Sequence, residues 1–286
     1  MKVRVLAFLD LRLFNLREMD IHKFAIVHEK AKLGKNVTVG PFSIIGENVK
    51  IGAGSKIGAH VVIEGWTEIG ENCEFYTGAV IGAIPQDLKF AGEKTIVKIG
   101  NHSIFREYVT VNRGTGAGGG QTIIGDNCLL MAYTHIAHDC IIGNNVIFGN
   151  AANLAGHIEV GDFAIIGGLT GIHQFVRIGA YSIIGGCSAV TQDIIPFAKA
   201  AGNRPNRLYG LNIVGLKRHN FSPEAIRNLQ KAYRILFRSN LNLSQAILKI
   251  EEEIRDSAEV NQIINFTKYS KRGICKHKPD NAEFEE

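Results

Sequence analysis

A large apolar residue recurs at every sixth position through most of the first two thirds of the chain, and this spacing restricts the fold more than any other feature. One series runs unbroken from Ile21 to Ile81, and a second, in a new phase, runs from Ile124 to Val190. Neither a helical period nor the two-residue alternation of an ordinary strand produces this pattern. A fixed six-residue period is typical of a parallel β-helix, in which each hexad forms a short strand and a corner.

The residues beside the periodic positions agree with a β-helix. Glycine often follows the aliphatic residue, as in "IGENVKIGAGSKIG", and the position two residues before it is usually small or β-branched. We interpret the glycines as residues that permit unusual corner dihedrals, and Cys73, Cys128 and Cys140 as small core residues. Three hexads would close one triangular coil, so equivalent residues of successive coils stack at about 4.8 Å. The two series predict about ten coils.

The end of the hexads divides the chain into four predicted parts. Residues 1–18 are interpreted as a leader or a mis-assigned start, because charges interrupt the apolar run and no small-residue cleavage site follows. The β-helix is predicted over residues 19–203, a helical C-terminal domain over 204–274, and a flexible tail over 275–286. The predicted fold is therefore mainly β, a parallel β-helix followed by a small α-helical domain.

Two insertions and one basic helix depart from the regular pattern. The insertions cover about residues 83–98 and 112–123, and loops that leave a strict solenoid often carry function. In the helical part, Ser222 is a predicted N-cap and Pro223 the first helical residue. One face of this helix is apolar, and another carries a basic stripe of Arg227, Lys231, Arg234 and Arg238. Such a stripe suits an acidic partner or is simply a solvated helix face.

Composition excludes several classes of protein. No apolar run approaches the ~20 residues of a membrane span, so we predict no integral membrane segment. The net charge of +5 favours an anionic substrate or acidic partner without indicating a nucleic-acid binder. The five cysteines show no paired spacing, which indicates a reducing compartment and predicts a cytoplasmic protein.

Histidines cluster in the second series of hexads. Stacking by three hexads puts His138 of "MAYTHIAHDC" in one column with Gly156 and Gln174, while His135 stacks beneath Asn153 and Gly171. His157 and His173 flank the first column. These histidines could line a subunit interface, hold zinc or act in acid–base catalysis. We expect no metal, because His157 lies nearly one coil beyond the other two and zinc needs three converging ligands.

Acid–base chemistry suits the cluster best. A neutral imidazole at position 138 can remove a hydroxyl proton, and the main-chain N–H of Gly156, one coil further on, can bind an oxyanion. Together they indicate acyl transfer to an alcohol or amine. Because the chain has no G-x-S-x-G or reactive-cysteine signature, direct transfer without an acyl-enzyme is favoured. A column of Asn150, Gly168 and Gly186 could open a groove for a chain-like ligand.

Several motifs resemble one enzyme family. "MAYTHIAHDC", "NLAGHIEVGDFAIIGG", "GIHQF", "GGCSAVTQD", "IPQDLKFAGE" and "LNIVGLKR" are similar to segments of the UDP-N-acetylglucosamine O-acyltransferases of lipid A synthesis, in the same order, over residues 19–274. The resemblance implies a left-handed parallel β-helix that forms a homotrimer, with active sites in clefts between subunits. It also implies transfer of a (3R)-3-hydroxyacyl group from acyl carrier protein to the glucosamine 3-hydroxyl, the first step of lipid A biosynthesis.

The resemblance also implies a role for individual residues. His138 matches the general base and Gly156 the backbone oxyanion donor, whereas Gly186 matches the acyl-chain ruler in the versions that accept longer chains. The predicted substrate-binding residues are Asp87, Lys89, His135, His157, His173, Gln174, Asn212 and Arg218. Asn212 and Arg218 are expected to reach the phosphates and uridine of UDP-N-acetylglucosamine. No cofactor is implied beyond the thioester of acyl carrier protein.

Some features depart from the family pattern or favour a rival. His219 stands where a second arginine is usual and Val214 where an acidic residue is frequent, which puts the finer nucleotide contacts in doubt. The role of Asp139 is left open, because alternate strand residues face opposite ways, and polarising a histidine of another chain is one alternative. The rivals are a sister enzyme that acylates an amine, a zinc-dependent hydratase and a non-enzymatic scaffold. The sister enzyme carries an extra N-terminal domain, for which the hexads from Ile21 leave no room.

Overall fold

The structure is a computed structural model that describes residues 20–277, so the predictions for residues 1–18 and 278–286 lie outside the described residues. Most of this range is a succession of very short strands separated by turns. The strands are β1 Asp20–Ile21, β2 Ile26–Val27, β3 Lys32–Leu33, β4 Thr38–Val39, β5 Ile44–Ile45, β6 Lys50–Ile51, β7 Lys56–Ile57, β8 Val62–Ile63, β9 Trp66–Ile69, β10 Glu74–Phe75, β11 Val80–Ala83, β12 Ile96–Ile99, β13 Ile104–Phe105, β14 Thr110–Asn112, β15 Gln121–Ile124, β16 Leu129–Leu130, β17 His135–Ile136, β18 Ile141–Ile142, β19 Ile147–Phe148, β20 Asn153–Leu154, β21 Glu159–Val160, β22 Ile165–Ile166, β23 Gly171–Ile172, β24 Arg177–Ile178, β25 Ile183–Ile184, β26 Ala189–Val190, β27 Ala198–Ala201 and β28 Arg207–Leu211.

Every third strand along the chain joins the same sheet, which produces three parallel sheets around one core. We name the eleven-stranded sheet A, the nine-stranded sheet B and the eight-stranded sheet C. The register follows the hexads: His135 pairs with Asn153, and Asn153 pairs with Gly171. Sheet B contributes one strand per coil, so the solenoid has nine coils, and β27 adds a tenth parallel strand to sheet A, close to the predicted number of about ten coils. The predicted mainly β fold, a parallel β-helix followed by helices, is confirmed.

The periodic apolar residues fill the interior of the solenoid. Phe75, Phe105 and Phe148 are among the largest fully buried side chains, and the first two rings stack with centroids 4.7 Å apart. The cysteines at 73, 128 and 140 are buried, as predicted for core residues. Burial raises the pKa of the Cys140 thiol to about 12, so this thiol stays protonated and inert at neutral pH.

The glycines of the hexads serve a different purpose from the predicted one. Left-handed dihedrals at the corners belong mainly to other residues, such as Phe42 with φ 60° and Asn72 with φ 54°. Gly52 does not have a positive φ, but a Cβ there would lie 2.5 Å from the carbonyl carbon of Gly70 in the next coil. The interpretation as corner-permitting residues was therefore wrong for these glycines, which allow close approach of successive coils.

Both insertions leave the solenoid at the same corner. The first connects β11 of sheet B to β12 of sheet C, and the second, which contains a short 3₁₀ turn at Gly116–Gly118, connects β14 of sheet B to β15 of sheet C. The two loops therefore project side by side from the corner at which sheet B turns into sheet C. We call this edge of the solenoid the B–C corner, and name the C–A and A–B corners likewise.

The C-terminal part begins with a hairpin that the sequence did not reveal. Strand β27 extends sheet A parallel to β25, and β28 returns antiparallel to it. Four helices follow: α1 Ile213–Arg218, α2 Pro223–Arg238, α3 Leu243–Glu253 and α4 Ala258–Lys268. Contacts continue past the predicted boundary at 274, since Cys275 is buried and its N–H donates to the Asp193 carbonyl. Residues 275–277 thus pack with this domain instead of starting a tail.

Helix α2 follows its sequence pattern closely. The Ser222 hydroxyl accepts from the Ala225 N–H, with Pro223 in the first turn, as predicted. Its apolar residues face the domain core and its basic stripe faces solvent. Helix α3 begins at Leu243, where the Asn242 side chain caps it through a reciprocal pair of hydrogen bonds with Gln245. Among the helices of residues 20–277, none combines the length and hydropathy that crossing a bilayer requires.

Candidate active site

The B–C corner collects most of the predicted site residues. Each sheet B strand from β17 to β23 ends just before this corner, so His138, Gly156 and Gln174 emerge from successive coils. They border a cleft of about 620 Å³ that extends over the outer face of sheet B. Its volume falls in the usual range of small-molecule sites. The cleft is lined by Gln86, His135, Ala137, His138, Asn153, Leu154, Ala155, Gly156, Gly171, Ile172, His173, Gln174, Ala189, Val190, Thr191 and Arg204.

His138 forms a close pair with the next residue in the chain. Its Nδ1 lies 2.8 Å from Oδ2 of Asp139, and the two side chains are 13% and 0% exposed. The sequence left the role of Asp139 open, and the structure shows this carboxylate in contact with a histidine of its own chain. The reason is that Asp139 is a corner residue with φ 60°, so the alternation of side chains along a strand does not apply to it. A donor N–H at Nδ1 leaves Nε2 of His138 unprotonated and able to accept a proton.

The Asp139 carboxylate is fixed from a second direction. Thr115, in the second insertion, donates its backbone N–H to Oδ1 at 2.9 Å and its hydroxyl to Oδ2 at 2.7 Å. The Asp139 backbone N–H donates to the Thr122 hydroxyl at 2.9 Å. Charge-assisted hydrogen bonds of this kind are stronger than neutral ones. The carboxylate is therefore buried, oriented and fully engaged by donors.

The position of the His138 ring leaves no room for a side chain at residue 156, which is glycine. A Cβ at Gly156 would lie 2.5 Å from Cε1 and 2.7 Å from Nε2 of that ring, far inside van der Waals contact. Within residues 20–277, the Gly156 N–H has no hydrogen-bond acceptor in the protein. An unpaired N–H beside an unprotonated imidazole nitrogen is the arrangement that an oxyanion and its attacking hydroxyl need.

Two half-buried histidines beside the base have lowered pKa values, which favours their neutral forms. Burial lowers the pKa of His135, and repulsion from the His138 imidazolium, when that ring is protonated, lowers it further. Nδ1 of His135 lies 2.7 Å from the Thr110 hydroxyl oxygen. Burial also lowers the pKa of His157, although the carboxylate of Asp139 partly opposes this shift. The His157 ring packs edge-on against His138 and stacks on Phe175. Both side chains can therefore offer hydrogen bonds without adding positive charge beside the base.

The predicted substrate-binding residues divide into two groups. His173 and Gln174 are exposed in the cleft, and Asp87 lies near enough to act on the His157 pKa. Lys89 is exposed in the same inserted loop, where its N–H donates to Asp87. Asn212, Arg218 and Gly186 do not line the cleft.

Asn212 and Arg218 lie at another corner of the solenoid. Asn212 caps α1, and its side-chain amide donates to the Tyr181 carbonyl at 3.0 Å. His219, at the end of the same helix, packs against the rings of Phe163 and Tyr181, which belong to the C–A corner. The structure therefore separates these two predicted nucleotide contacts from the histidines within one chain.

Gly186 lies at the A–B corner, across sheet B from the histidines. It stacks on Gly168, and a Cβ at Gly186 would lie 3.1 Å from the Gly168 carbonyl oxygen. Between the two corners, the outer face of sheet B carries the small residues Gly171 and Ala189 at the end of the cleft. This shallow strip can admit an extended apolar chain.

Arg204 is a site residue that sequence reasoning missed. It lines the cleft, has φ 48° and precedes Pro205 in the connection between β27 and β28. Asn153, Gln86 and Thr191 also line the cleft without having been predicted as ligands. The hexad register already stacked Asn153 above His135, so that signal was available. Arg204 had no such signal, because its position depends on the hairpin.

The same corner has a set of atoms that could approach a metal ion. Ligand atoms of His138, Asp139 and His157 lie within 4.8 Å of one another. The objection that His157 lies nearly one coil away fails, because stacking brings the two rings to 5.0 Å. However, both Asp139 oxygens already accept hydrogen bonds from Thr115 or His138. The geometry suits a base and its orienting carboxylate better than zinc, and the expectation of no metal stays a prediction.

The fold and the site define the class of protein. A β-helix of hexads that carries a histidine–aspartate pair beside an unpaired backbone N–H is an acyltransferase of the hexapeptide-repeat class. The bacterial transferase hexapeptide profile matches residues 24–59, 48–83 and 121–156. A second profile, described as domain 2 of UDP N-acetylglucosamine O-acyltransferase, matches residues 193–275.

Comparison with known proteins gives the particular family. The chain is 62% identical over 257 residues to the acyl-[acyl-carrier-protein]–UDP-N-acetylglucosamine O-acyltransferase of Sulfurihydrogenibium sp., covering 90% of this chain and 94% of the relative. It is 55% identical over 257 residues to the enzyme of that name from Thermodesulfovibrio yellowstonii, covering 90% of this chain and 99% of the relative. LpxA from Acinetobacter baumannii superposes with a TM-score of 0.87 at 43% identity, covering 90% of this chain and 99% of that one. The chain therefore belongs to the acyl-[acyl-carrier-protein]–UDP-N-acetylglucosamine O-acyltransferase family and is an O-acyltransferase, as its motifs predicted.

Proposed function

We propose that the chain transfers a (3R)-3-hydroxyacyl group from acyl carrier protein to the 3-hydroxyl of UDP-N-acetylglucosamine, the first step of lipid A biosynthesis. The observation that carries the mechanism is the His138–Asp139 pair beside the free Gly156 N–H. The family relationship supports the pair of substrates, since the relatives are named for them. Transfer is direct, with no acyl-enzyme and no cofactor other than the carrier thioester.

In the proposed reaction, His138 takes up one proton and later releases it. Nε2 of His138 takes the proton of the sugar 3-hydroxyl as its oxygen attacks the thioester carbonyl carbon. The resulting oxyanion is bound by the Gly156 N–H, and Asp139 stabilises the imidazolium through Nδ1. Collapse of the intermediate breaks the C–S bond, and the leaving thiolate takes the proton back from His138. The base is then neutral again and ready for another turnover.

The sugar nucleotide binds at the first insertion and the cleft. Asp87, His135, His157, His173 and Gln174 surround the base and supply hydrogen-bonding groups for the sugar. The diphosphate calls for cations, which Lys89 and Arg204 can supply from this chain. Asn212 and Arg218 lie at the C–A corner, so they reach a nucleotide only if another subunit presents that corner to the cleft.

A homotrimer provides that arrangement, and the surface supports it. Apolar side chains are exposed along the A–B corner and the first strands of sheet B, an unusual feature for a solvated surface. Phe24, Ile26 and Phe42 are 53%, 58% and 54% exposed, and the two phenylalanine rings stack at 5.4 Å. Threefold closure would cover such a strip and place the C–A corner of one subunit beside the B–C corner of the next.

The acyl donor meets two further parts of the molecule. The basic stripe of α2 is exposed and suits the acidic surface of acyl carrier protein, although Lys231 already pairs with Glu253 at 2.9 Å. The acyl chain runs over the small residues of sheet B towards Gly186. Glycine there leaves the end of the path open, which favours longer chains. We place this chemistry in the cytoplasm.

The test is acyl transfer from a series of 3-hydroxyacyl carrier proteins to UDP-N-acetylglucosamine. We expect turnover by the wild type to rise with chain length up to a maximum. His138→Ala should lower kcat roughly 10²–10⁴-fold, the usual range for loss of a general base. His28→Ala, an exposed histidine in the first coil of the solenoid and several coils from His138, is the matched control and should retain full activity.

The outcomes test the proposed substrate and the proposed mechanism independently. No turnover of UDP-N-acetylglucosamine with any acyl chain would overturn the proposed reaction, and a 3-amino sugar nucleotide tested in parallel would reveal an amine acceptor. Turnover by the wild type that survives His138→Ala would instead overturn the general-base role alone. Mass measurement of both variants in solution tests the trimer and shows that the loss is not a failure of assembly.

A further inference from the structure

Thr115 is the most closely engaged polar residue of the second insertion. It is buried, with 5% of its surface exposed, and both of its donors point to the Asp139 carboxylate. Its hydroxyl oxygen also accepts the Gly118 N–H at 3.1 Å, which closes the short 3₁₀ turn. One side chain thus orders the loop and contacts the partner of the base.

The second insertion also seals the carboxylate from water. A Cβ at Gly118 would lie 2.1 Å from Cγ of Asp139, so the loop backbone packs directly on this group. The loop is braced from the other insertion, because the Gly116 N–H donates to Oε1 of Glu93 at 2.9 Å. A chain of contacts therefore runs from the first insertion through residues 115–118 to Asp139 and His138.

We propose that Thr115 is a positioning residue for the base, an inference that rests on the proposed function of His138. A carboxylate can present either oxygen, in several directions, to an imidazole. By donating to both oxygens, Thr115 holds Asp139 in one orientation, in which Oδ2 faces Nδ1 of His138. This orientation selects the tautomer with the proton on Nδ1 and keeps Nε2 directed past Gly156.

The test compares three substitutions at buried threonines. Thr115→Val keeps the shape and removes the hydroxyl, whereas Thr115→Ser keeps the hydroxyl. Thr95→Val is the matched control, because the Thr95 hydroxyl is buried in the neighbouring insertion with no hydrogen-bond partner among the described residues. We expect Thr115→Val to lower kcat about tenfold, or about 1.4 kcal/mol of barrier, with KM for both substrates little changed. Thr115→Ser should recover most of the loss, and Thr95→Val should match the wild type.

A double-mutant cycle distinguishes positioning from a purely structural role. If Thr115 acts through Asp139, adding Thr115→Val to Asp139→Asn should produce little further loss of kcat. Two results would overturn the proposal and indicate that Thr115 only closes the loop. One is a double variant in which the kcat losses of the two single variants multiply; the other is a higher KM for the sugar nucleotide in Thr115→Val with unchanged kcat. Wild-type activity in Thr115→Val would overturn it as well.

A second readout is independent of the reaction. Nitrogen NMR of the labelled histidines reports which ring nitrogen of His138 carries the proton. We expect Nδ1–H in the wild type and in Thr115→Ser, and a mixture of tautomers in Thr115→Val. An unchanged tautomer in Thr115→Val would count against positioning. An inactive wild type that still shows this tautomer shift would overturn the proposed function and leave the positioning role standing.

Discussion

The C–A and B–C corners of the solenoid have the same backbone but opposite uses. Both turn through left-handed residues, such as Asn127 at the C–A corner and Asp139 at the B–C corner, with φ 55° and 60°. At the C–A corner, polar side chains bond along the solenoid: Asp126 accepts the N–H of Asn101 at 2.6 Å, and Asp162 accepts that of Asn144 at 2.7 Å. At the B–C corner, Asp139 accepts instead from an inserted loop and from a histidine.

The two corners differ because inserted loops leave the coil at the B–C corner, whereas the backbone of the coil is the same at both corners. The polar side chains of Asn101, Asp126, Asn144 and Asp162 at the C–A corner contact the next coil along the solenoid, so they form a ladder that satisfies backbone groups. The insertions after β11 and β14 give the B–C corner a wall that buries a carboxylate and closes one side of a cleft. The regular solenoid thus positions the site side chains, and the irregular loops at one corner bury the carboxylate and enclose the cleft in which the reaction takes place.

The largest expected contrast between the corners comes from removing one carboxylate from each. Asp139→Asn should lower kcat roughly 10²–10⁴-fold, because an amide can hold the imidazole in the wrong tautomer and cannot stabilise the imidazolium. Asp126→Asn at the C–A corner should leave kcat within about twofold, since an amide oxygen can still accept the Asn101 N–H. Steady-state kinetics of both variants with saturating substrates measure the contrast.

One result would contradict a functional difference between the two corners. If Asp126→Asn lowers kcat as far as Asp139→Asn does, while both variants keep their assembly and melting temperature, the two corners would not differ in function. A loss confined to Asp139→Asn would show that the contrast lies in the neighbours of the carboxylate, since the backbone is equivalent.

A smaller effect is expected from replacing Gly156, one of two glycines that can be compared at the B–C corner. Gly156→Ala should lower kcat about a hundredfold, because the new methyl group overlaps the His138 ring and displaces it from the oxyanion position. Gly46→Ala is the control: it follows a sheet B strand at the same corner, but its nearest neighbour would be the Glu64 Cα at 3.3 Å. It should keep full activity. Equal losses in both variants would mean that glycine serves the packing of this corner and not the base.

The regular part of the fold could be predicted because its cause is local and repeated. Each hexad places one large apolar residue inside, and the same rule acts in every coil from Ile21 to Val190. The stacking of His135, Asn153 and Gly171 followed directly from the period. The hairpin of β27 and β28 has no such period, and its pairing depends on contacts with the last coil and with residues 274–277.

The site could be predicted in part for the same reason. Residues that belong to the coil, such as His138 and Gly156, come together through the period alone. Thr115 and Arg204 come from irregular segments whose paths the sequence does not fix, and so their contacts with Asp139 and with the cleft were missed. The role of Asp139 stayed open at the sequence level because strand alternation was applied to a corner residue.

The smallest expected difference between the corners is a pH dependence of stability that originates at the B–C corner. The folded protein lowers the pKa values of His135 and His157, chiefly by burial. The unfolded chain then binds more protons below its own histidine pKa of about 6.5, so stability is fully present above that pH and falls as the pH drops towards the folded pKa values. We expect the melting temperature of the wild type to fall modestly between pH ~7.5 and ~5.5.

His135→Asn should melt lower at neutral pH, because its bond with Thr110 is lost, but should show a shallower pH slope. Calorimetry of both proteins across this range gives the two slopes. A variant slope as steep as that of the wild type would place the proton uptake elsewhere, and an increase in stability at low pH would contradict the burial of neutral histidines at this corner.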